Sequence, residues 1–355
     1  MRVALVGPGT VSIPPPGWGA TERVIWNIHQ HGRDAGFDSL VVNSKRARAV
    51  VAALTEFQPD VIHLHADWRF PACLWYLLRC PTPLVMTSHN PRLGSAIPRE
   101  VAPSIEAADT VIALNPAIEQ RLRAVRGDRV RYIPNGVDSR VFRPLAKKPG
   151  TVAAVGKNRR RKRFVQIARF FLERPEYHLT LCGPGMRARP GERGPVIPTG
   201  PNITLLEEQP EGEVARLLGE SEYFVHLCEE EASPLVVREA MAAACRVWTV
   251  EPNAQDVTNV ALVWDDAISD PELGQRAARE ARDSFDWSII TSRHAETYEQ
   301  TLDGWRGSPR AAADARVRYR SVAVRAAAYA ARRRFRRSYV GRGLRRRISR
   351  DTPVR

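Results

Sequence analysis

Two glutamates, Glu231 and Glu239, stand with seven residues between them in the stretch Tyr223 to Cys245, YFVHLCEEEASPLVVREAMAAAC. An ionised carboxylate only accepts hydrogen bonds, so two of them facing one ligand suit a polyhydroxylated one, a sugar or a ribose. Tyr223 to Cys228 is a short apolar run, the pattern of a buried strand. From Pro234 the apolar residues fall at helical spacing, at Val236, Val237, Ala240, Met241 and Ala244. The stretch therefore predicts a strand, an acidic loop of Glu229, Glu230 and Glu231, and a helix. Ser233 is placed to cap that helix and Pro234 to open it. A helix start presents unpaired N–H groups and partial positive charge, a seat for phosphate. Taken alone, such a pair is usually a solvated acidic face, and it needs other motifs in the chain to mean more.

A second constellation lies upstream, where the strand Thr151 to Val155 ends at Gly156 and is followed by Lys157, a run of basic residues and Lys162. Lysines there offer point charges to a phosphate, and by themselves they are also an ordinary basic loop. The chain begins with a strand, RVALVG, then PGTVSIPPPGWGA and a helix from about Thr21. Gly7 and Gly9 lack the third glycine of a dinucleotide fingerprint, which argues against a dehydrogenase. Gly17 and Gly19 have no side chain and would let a ligand approach the backbone closely, or form a simple surface turn. Phe57 to His65 and Thr82 to His89 each feed a short apolar strand. Ligands of open parallel α/β sheets bind beyond the carboxyl ends of strands, near which His63, His65 and His89 all fall. His63 and His65 read as structural; His89 is the candidate for the site, as a hydrogen-bonding or polarising imidazole. Asn135-Gly136 in PNGVD reads as a turn without chemistry.

With 355 residues and 43% hydrophobic content the chain can bury two domain cores. No apolar run reaches membrane-spanning length, and the N-terminus lacks the features of a signal peptide, so a cytoplasmic location is expected. Cys73, Cys80, Cys182, Cys228 and Cys245 are scattered, with neither zinc spacing nor a catalytic Cys/His pattern, and read as reduced core residues. Residues 306–355 hold 17 arginines against two acids and carry the whole net charge of +15.

Taken in order, these motifs resemble those of glycosyltransferase family 4, whose chains have the GT-B fold. EASPLVVREAMA is similar to the family's EGFGLVxLEAMA with its E-x7-E spacing, and PPPGWGATERVIWNI to PxxYGGxERVV. TSHN resembles the segment whose histidine faces the reacting sugar, PNGVD the end of the last strand before the linker, and Gly156 to Lys162 the pattern G-R-x-x-x-x-K-G. Lys157 stands where Arg is usual, and Ala232-Ser233-Pro234 replaces a glycine-containing turn. Downstream, Cys245-Arg246 and EPNAQDVTN replace a glycine-proline turn and a glycine-rich loop.

The resemblance covers nearly all of Met1 to Leu302 and implies an α/β chain of two Rossmann-like domains facing a cleft. Residues 1–143 form the acceptor-side domain, 144–150 the linker, 151–284 the nucleotide-sugar-binding domain, 285–304 a closing helix, and 305–355 an Arg-rich tail. It implies retaining transfer of a sugar from a nucleoside diphosphate sugar to an acceptor hydroxyl, with neither metal nor cofactor. His89 would border the reacting centre, Glu231 hold donor sugar hydroxyls, Glu239 hold the ribose, and Lys157 and Lys162 neutralise the leaving diphosphate. Gly17, Gly19, Gly156, Leu235 and Val236 would complete the donor site. The acceptor, a glycan, lipid or small molecule, is not specified.

In the tail, Tyr319, Val322, Ala323, Ala326 and Ala330 make an apolar stripe beside Arg318, Arg320, Arg325 and the run Arg332 to Arg337. That pattern suits the anionic cytoplasmic face of a membrane. Two other functions stay open. One is a nucleotide- or sugar-binding protein of the same fold without turnover, suggested by the missing glycines. The other is a nucleic-acid binder acting through the tail, which the neutral body makes the weaker reading.

Overall fold

The computed structural model describes residues 1–325 apart from Trp18, Pro190, Gly191, Arg193, Glu229, Pro309 and Arg310. The acidic-loop residue Glu229 and the tail residues Ala326, Ala330 and Arg332 to Arg337 therefore lie outside the described residues. The first sheet is parallel and six-stranded, built from β1 (Arg2–Val6), β2 (Asp38–Val42), β3 (Val61–Leu64), β4 (Leu84–Thr87), β5 (Thr110–Ala113) and β6 (Val130–Tyr132) in the order β2-β1-β3-β4-β5-β6. The second is parallel and five-stranded, built from β7 (Lys148–Val155), β8 (His178–Cys182), β9 (Ile203–Leu206), β10 (Ser221–His226) and β11 (Arg246–Thr249) in the order β11-β10-β7-β8-β9. The strand β7 begins at Lys148, inside the stretch expected to be linker.

Alternation along β1 shows why the first sheet must be covered on both faces. Val3 and Leu5 are buried in one apolar cluster and Ala4 and Val6 in another, since successive side chains of a strand point to opposite faces. One face is covered partly by the closing helix Trp287–Arg306, which lays Trp287, Ile290, Tyr298 and Leu302 against Val3, Leu5, Val61 and Val85. The cysteines, expected to be reduced core residues, are free and buried in all cases but the exposed Cys80.

The opposite cluster receives a part of the chain expected to be tail. Residues 311–325 are helical, and Ala315, Tyr319 and Val322 are fully buried with Ile62, Leu84 and Val111. The Tyr319 hydroxyl donates to the Thr82 carbonyl at 3.0 Å, and Arg318 and Arg325 pair with Asp109 and Glu106 at 2.5 Å each. The apolar stripe at Tyr319 and Val322 thus completes the first domain's core. It is not free to meet a membrane, because its period matched a protein partner that sequence periodicity cannot name.

In both sheets the strand order reverses beside the first strand of the domain, between β1 and β3 and between β7 and β10. Ligands of such sheets bind outside the carboxyl ends of the strands flanking that switch. In the second domain those ends lead into Gly156-Lys157 and into the acidic loop. Lys147 steadies the entry to β7: its ammonium donates to the carbonyls of Leu218, Ser221 and Ala243 at 3.1, 2.8 and 2.6 Å. All three carbonyls lie at the C-terminal ends of two helices, where a cation is favoured.

Candidate functional site

A cavity of about 580 Å³ opens between the two domains. From the first domain it is lined by Gly17, Arg23, His89 and Asn135, and from the second by Gly156, Lys157, Lys162, Glu231, Leu235, Val236 and Glu239. The candidate residues His89, Lys157, Lys162, Glu231, Gly17, Gly156, Leu235, Val236 and Glu239 are therefore all brought to one cleft. Gly19 is not in the cavity lining; it precedes the helix Ala20–His31 at φ +156°, and a Cβ there would come 2.9 Å from Cβ of Pro15.

The turn after β7 can lie flat only because the turn after β8 carries a glycine. Gly183 has φ +142°, and a Cβ on it would fall 2.1 Å from the carbonyl oxygen of Gly156. Beyond Gly156, Lys162 sits buried at the end of a short 3₁₀ turn, Arg160–Lys162, and points back to the acidic loop. Its ammonium donates to Oε1 of Glu231, which also accepts from Nη1 of Arg161 at 3.0 Å. Burial alone would raise the Glu231 carboxyl, but the charge and hydrogen bond of Lys162, with the charge of Arg161, hold it below its usual range. The site therefore keeps Glu231 ionised beside two cations.

Behind that pair lies His226, fully enclosed, with its Nε2 lacking a partner and 3.9 Å from Oε1 of Glu231. Burial first, and then the charge of Lys162, push it down to about 3, so the ring is neutral. His226, Cys228 and Glu231 bring one nitrogen, one sulfur and one oxygen within 4.8 Å of one another, a donor set that a cation could use. The protein's own cations already stand there. Lys162 and Arg161 hold Glu231, and Arg161 also donates to Sγ of Cys228 at 3.3 Å.

The helix Leu235–Ala242 starts differently from the sequence expectation. Pro234, not Ser233, is the N-cap residue, and no side chain caps the helix. The Ser233 hydroxyl is engaged instead by the backbone N–H of Asn135 at 3.1 Å. On the helix, Glu239 is 4% exposed and receives Nη1 of Arg23 at 3.1 Å, the same nitrogen that reaches Glu211 at 2.9 Å. Burial raises the Glu239 carboxyl more than Arg23 lowers it. Arg23, in turn, is held more firmly protonated, chiefly by Glu239.

Apart from Arg23, the first domain's contribution is neutral. His89 pairs through Nε2 with Nδ1 of His65 at 3.3 Å, and burial pushes it down to about 4. His65 and His63 are driven well below the usual histidine range by burial and then by neighbouring imidazoles. His63 has both nitrogens bonded, to the Tyr298 hydroxyl at 2.7 Å and the Thr87 hydroxyl at 2.8 Å. His63 is thus the structural residue expected, whereas His65 directly supports His89. Arg23, Arg161 and Asn135 are site residues that sequence reasoning passed over. In the sequence the last reads as a turn, and positive charge is the only signal for the others.

Residues 11–141 match the family described as Glycosyltransferase Family 4. No curated protein matches the sequence. The structure is similar to sucrose-phosphate synthase from Thermosynechococcus elongatus, with a TM-score of 0.68 and 16% identity over 86% of this chain and 100% of the other. It is similar to HepE of Anabaena in complex with UDP-glucose, with a TM-score of 0.66 and 16% identity over 84% of this chain and 100% of the other. It is also similar to AviGT4, a glycosyltransferase involved in avilamycin A biosynthesis, with a TM-score of 0.62 and 18% identity over 85% and 98%. The first domain of this chain is a Glycosyltransferase Family 4 domain, and the two domains together have the GT-B fold of glycosyltransferases.

Proposed function

We propose that this protein transfers a sugar from a nucleoside diphosphate sugar to an acceptor hydroxyl with retained anomeric configuration, using neither metal nor cofactor. The observation that carries the reading is the convergence of Lys162, Arg161, Glu231, Glu239 and His89 on one interdomain cavity. In the reaction the bond from the anomeric carbon to the phosphate oxygen breaks and one to the acceptor oxygen forms. The nucleoside diphosphate departs with the acceptor's proton. Lys162, Arg161 and the half-buried Lys157 supply fixed positive charge where negative charge develops on that leaving group, the service a metal would otherwise give. Glu231 accepts from sugar hydroxyls while its neighbours keep it ionised, Glu239 accepts from the ribose, and neutral His89 borders the reacting carbon.

HepE is known in complexes with UDP and UDP-glucose, so uridine donors are the first to try here. Thermal unfolding against a panel of nucleoside diphosphates and nucleotide sugars tests the reading. A ligand at a hundred times its dissociation constant stabilises by about 2.7 kcal/mol. The expected result is a shift with one nucleotide that Glu239→Ala and Lys162→Ala both abolish. No shift with any nucleotide would overturn the donor site. Residues 326–355 retain 11 arginines against one acid, and we read them as the part of the chain that would contact an anionic membrane surface. Failure of the full chain to sediment with anionic vesicles at physiological salt would remove that partner.

A further inference from the structure

We propose that Asn115 and Asn135 of the first domain are positioning residues for Glu231 of the second, so that the carboxylate is placed only when the two domains are closed. The inference rests on the reading of Glu231 as a ligand of the donor sugar. Asn115 follows β5 and caps the helix Pro116–Arg126, its Oδ1 accepting from the Ile118 N–H at 2.8 Å. Its amide nitrogen is used across the cleft, donating to the Ala232 carbonyl at 2.9 Å and, at longer range, to the Glu231 carbonyl at 3.4 Å. Asn135 follows β6 and donates from Nδ2 to the Ser233 carbonyl at 2.7 Å, while its backbone N–H meets the Ser233 hydroxyl.

The main chain of three successive residues, 231 to 233, is therefore held from the opposite domain. Ala232 adds an apolar anchor, since its methyl is buried in the first domain's cluster with Leu93, Leu114 and Ile118. Both asparagines are buried, at 9% and 6% exposure, so these bonds are little diluted by water. The ammonium of Lys162 and the guanidinium of Arg161 fix the Glu231 carboxylate from within its own domain. The backbone beneath that carboxylate is fixed by the other. The side chain's address is thus shared between domains, and loss of closure would release the loop without disturbing Lys162.

Asparagine can be tested here without unmaking the fold. Aspartate caps a helix as well as asparagine does, so Asn115→Asp keeps the bond to Ile118. It replaces the amide donor with an acceptor facing the Ala232 carbonyl, breaking only the contact across the cleft. Asn135→Asp does the same opposite Ser233. The experiment uses the full chain, with amide hydrogen exchange over residues 230–236 and binding of UDP and of UDP-glucose measured by calorimetry. We expect exchange over that segment to accelerate roughly tenfold or more in both variants, as loss of a buried hydrogen bond implies. UDP affinity should change by less than about threefold, while the additional affinity of UDP-glucose over UDP is lost, as it is in Glu231→Gln.

Unchanged exchange over 230–236 overturns the proposal. So does equal weakening of UDP and UDP-glucose, which would mark a general defect of closure rather than a displaced Glu231. If the unaltered protein binds neither nucleotide, the donor-site reading falls, and the exchange measurement alone decides whether the first domain holds the loop.

Discussion

The two walls of the cleft carry opposite kinds of polarity. On the second domain's wall the polar groups are charged and paired: Glu231 with Lys162 and Arg161, and Arg238 with Asp256 just behind. On the first domain's wall, Arg23 apart, they are a neutral chain, with His89 on His65 and His63 between two hydroxyls. Burial is deep on both walls, so the difference lies in whether each group has an opposite charge within reach. Glu231, with Lys162 and Arg161 in reach, stays ionised despite desolvation; where only other imidazoles surround a ring, its proton is lost. Such a division suits a donor with a diphosphate at one end and an uncharged sugar at the other. On the proposed reading the cations of the charged wall meet the diphosphate, Glu231 beside them accepts from the sugar hydroxyls, and neutral His89 borders the reacting carbon.

The most damaging way to break the charged wall is to orphan its buried cation. Arg238 is 1% exposed, lies with its guanidinium carbon 4.7 Å from the Phe285 ring centroid, and pairs with Asp256, which also accepts from the Tyr132 hydroxyl at 2.7 Å. Asp256→Ala leaves a charge buried without its partner and should cost about 3–5 kcal/mol in urea unfolding. A loss under about 1 kcal/mol would show that the wall does not depend on pairing. Next in size is Lys162→Ala. Removing one preorganised charge from a leaving group typically costs about 10²–10³ in turnover, and the same loss is expected in the rate of donor hydrolysis. Activity within tenfold of the unaltered protein would take Lys162 out of that role.

On the neutral wall the same kind of cut should act on stability and spare nucleotide binding. His63→Phe leaves the buried hydroxyls of Tyr298 and Thr87 without their shared partner and should destabilise by about 1–3 kcal/mol. UDP affinity should stay within about twofold, because no diphosphate contact is assigned to that wall. A parallel loss of UDP binding would mean that the walls are not divided as described.

Much of this arrangement was legible in the sequence, for a definable reason. Strands β1, β3, β4, β5, β7, β8, β9 and β10 are short apolar runs, and the residues after β7 and β10 are those whose charge pattern suggested phosphate and hydroxyl binding. Period and punctuation carry that information. Partners distant along the chain do not show in it. Arg23 reads as the polar face of an amphipathic helix, and only the fold brings it to Glu239, 216 residues away. Arg161 is one basic residue in a run of five from Arg159 to Arg163, with nothing local to single it out. Asn135 in a turn dipeptide and Ser233 at a helix start have familiar local roles, and the chain instead joins them to each other across the cleft. Tyr319 and Val322 announce a stripe, and a stripe alone does not say whether lipid or protein covers it.

The smallest effect tests the comparison between single carboxyls. Glu231 is held below its usual range by Lys162, whereas Asp67 of the first domain has no such neighbour. Its Oδ2 accepts from the Ser88 hydroxyl at 3.0 Å and its Oδ1 is buried without a partner. Burial, more than this bond can offset, pushes Asp67 from 3.8 up to about 6. Linkage then gives the two carboxyls opposite signs. Stabilisation from a lowered carboxyl such as Glu231 is present above pH 4.5 and lost as acid protonates the folded form. For Asp67 the folded protein binds the proton more tightly than the unfolded chain, so its contribution is greatest below pH 3.8 and is lost as pH rises through about 6. Asp67→Asn keeps the neutral shape at every pH. Its stability relative to the unaltered protein should therefore rise by about 1 kcal/mol between pH 4 and pH 7, after allowance for partial solvent screening. Urea unfolding of the two proteins at those two pH values measures it, and a pH-independent difference would mean that Asp67 has found a compensating charge like that of Glu231.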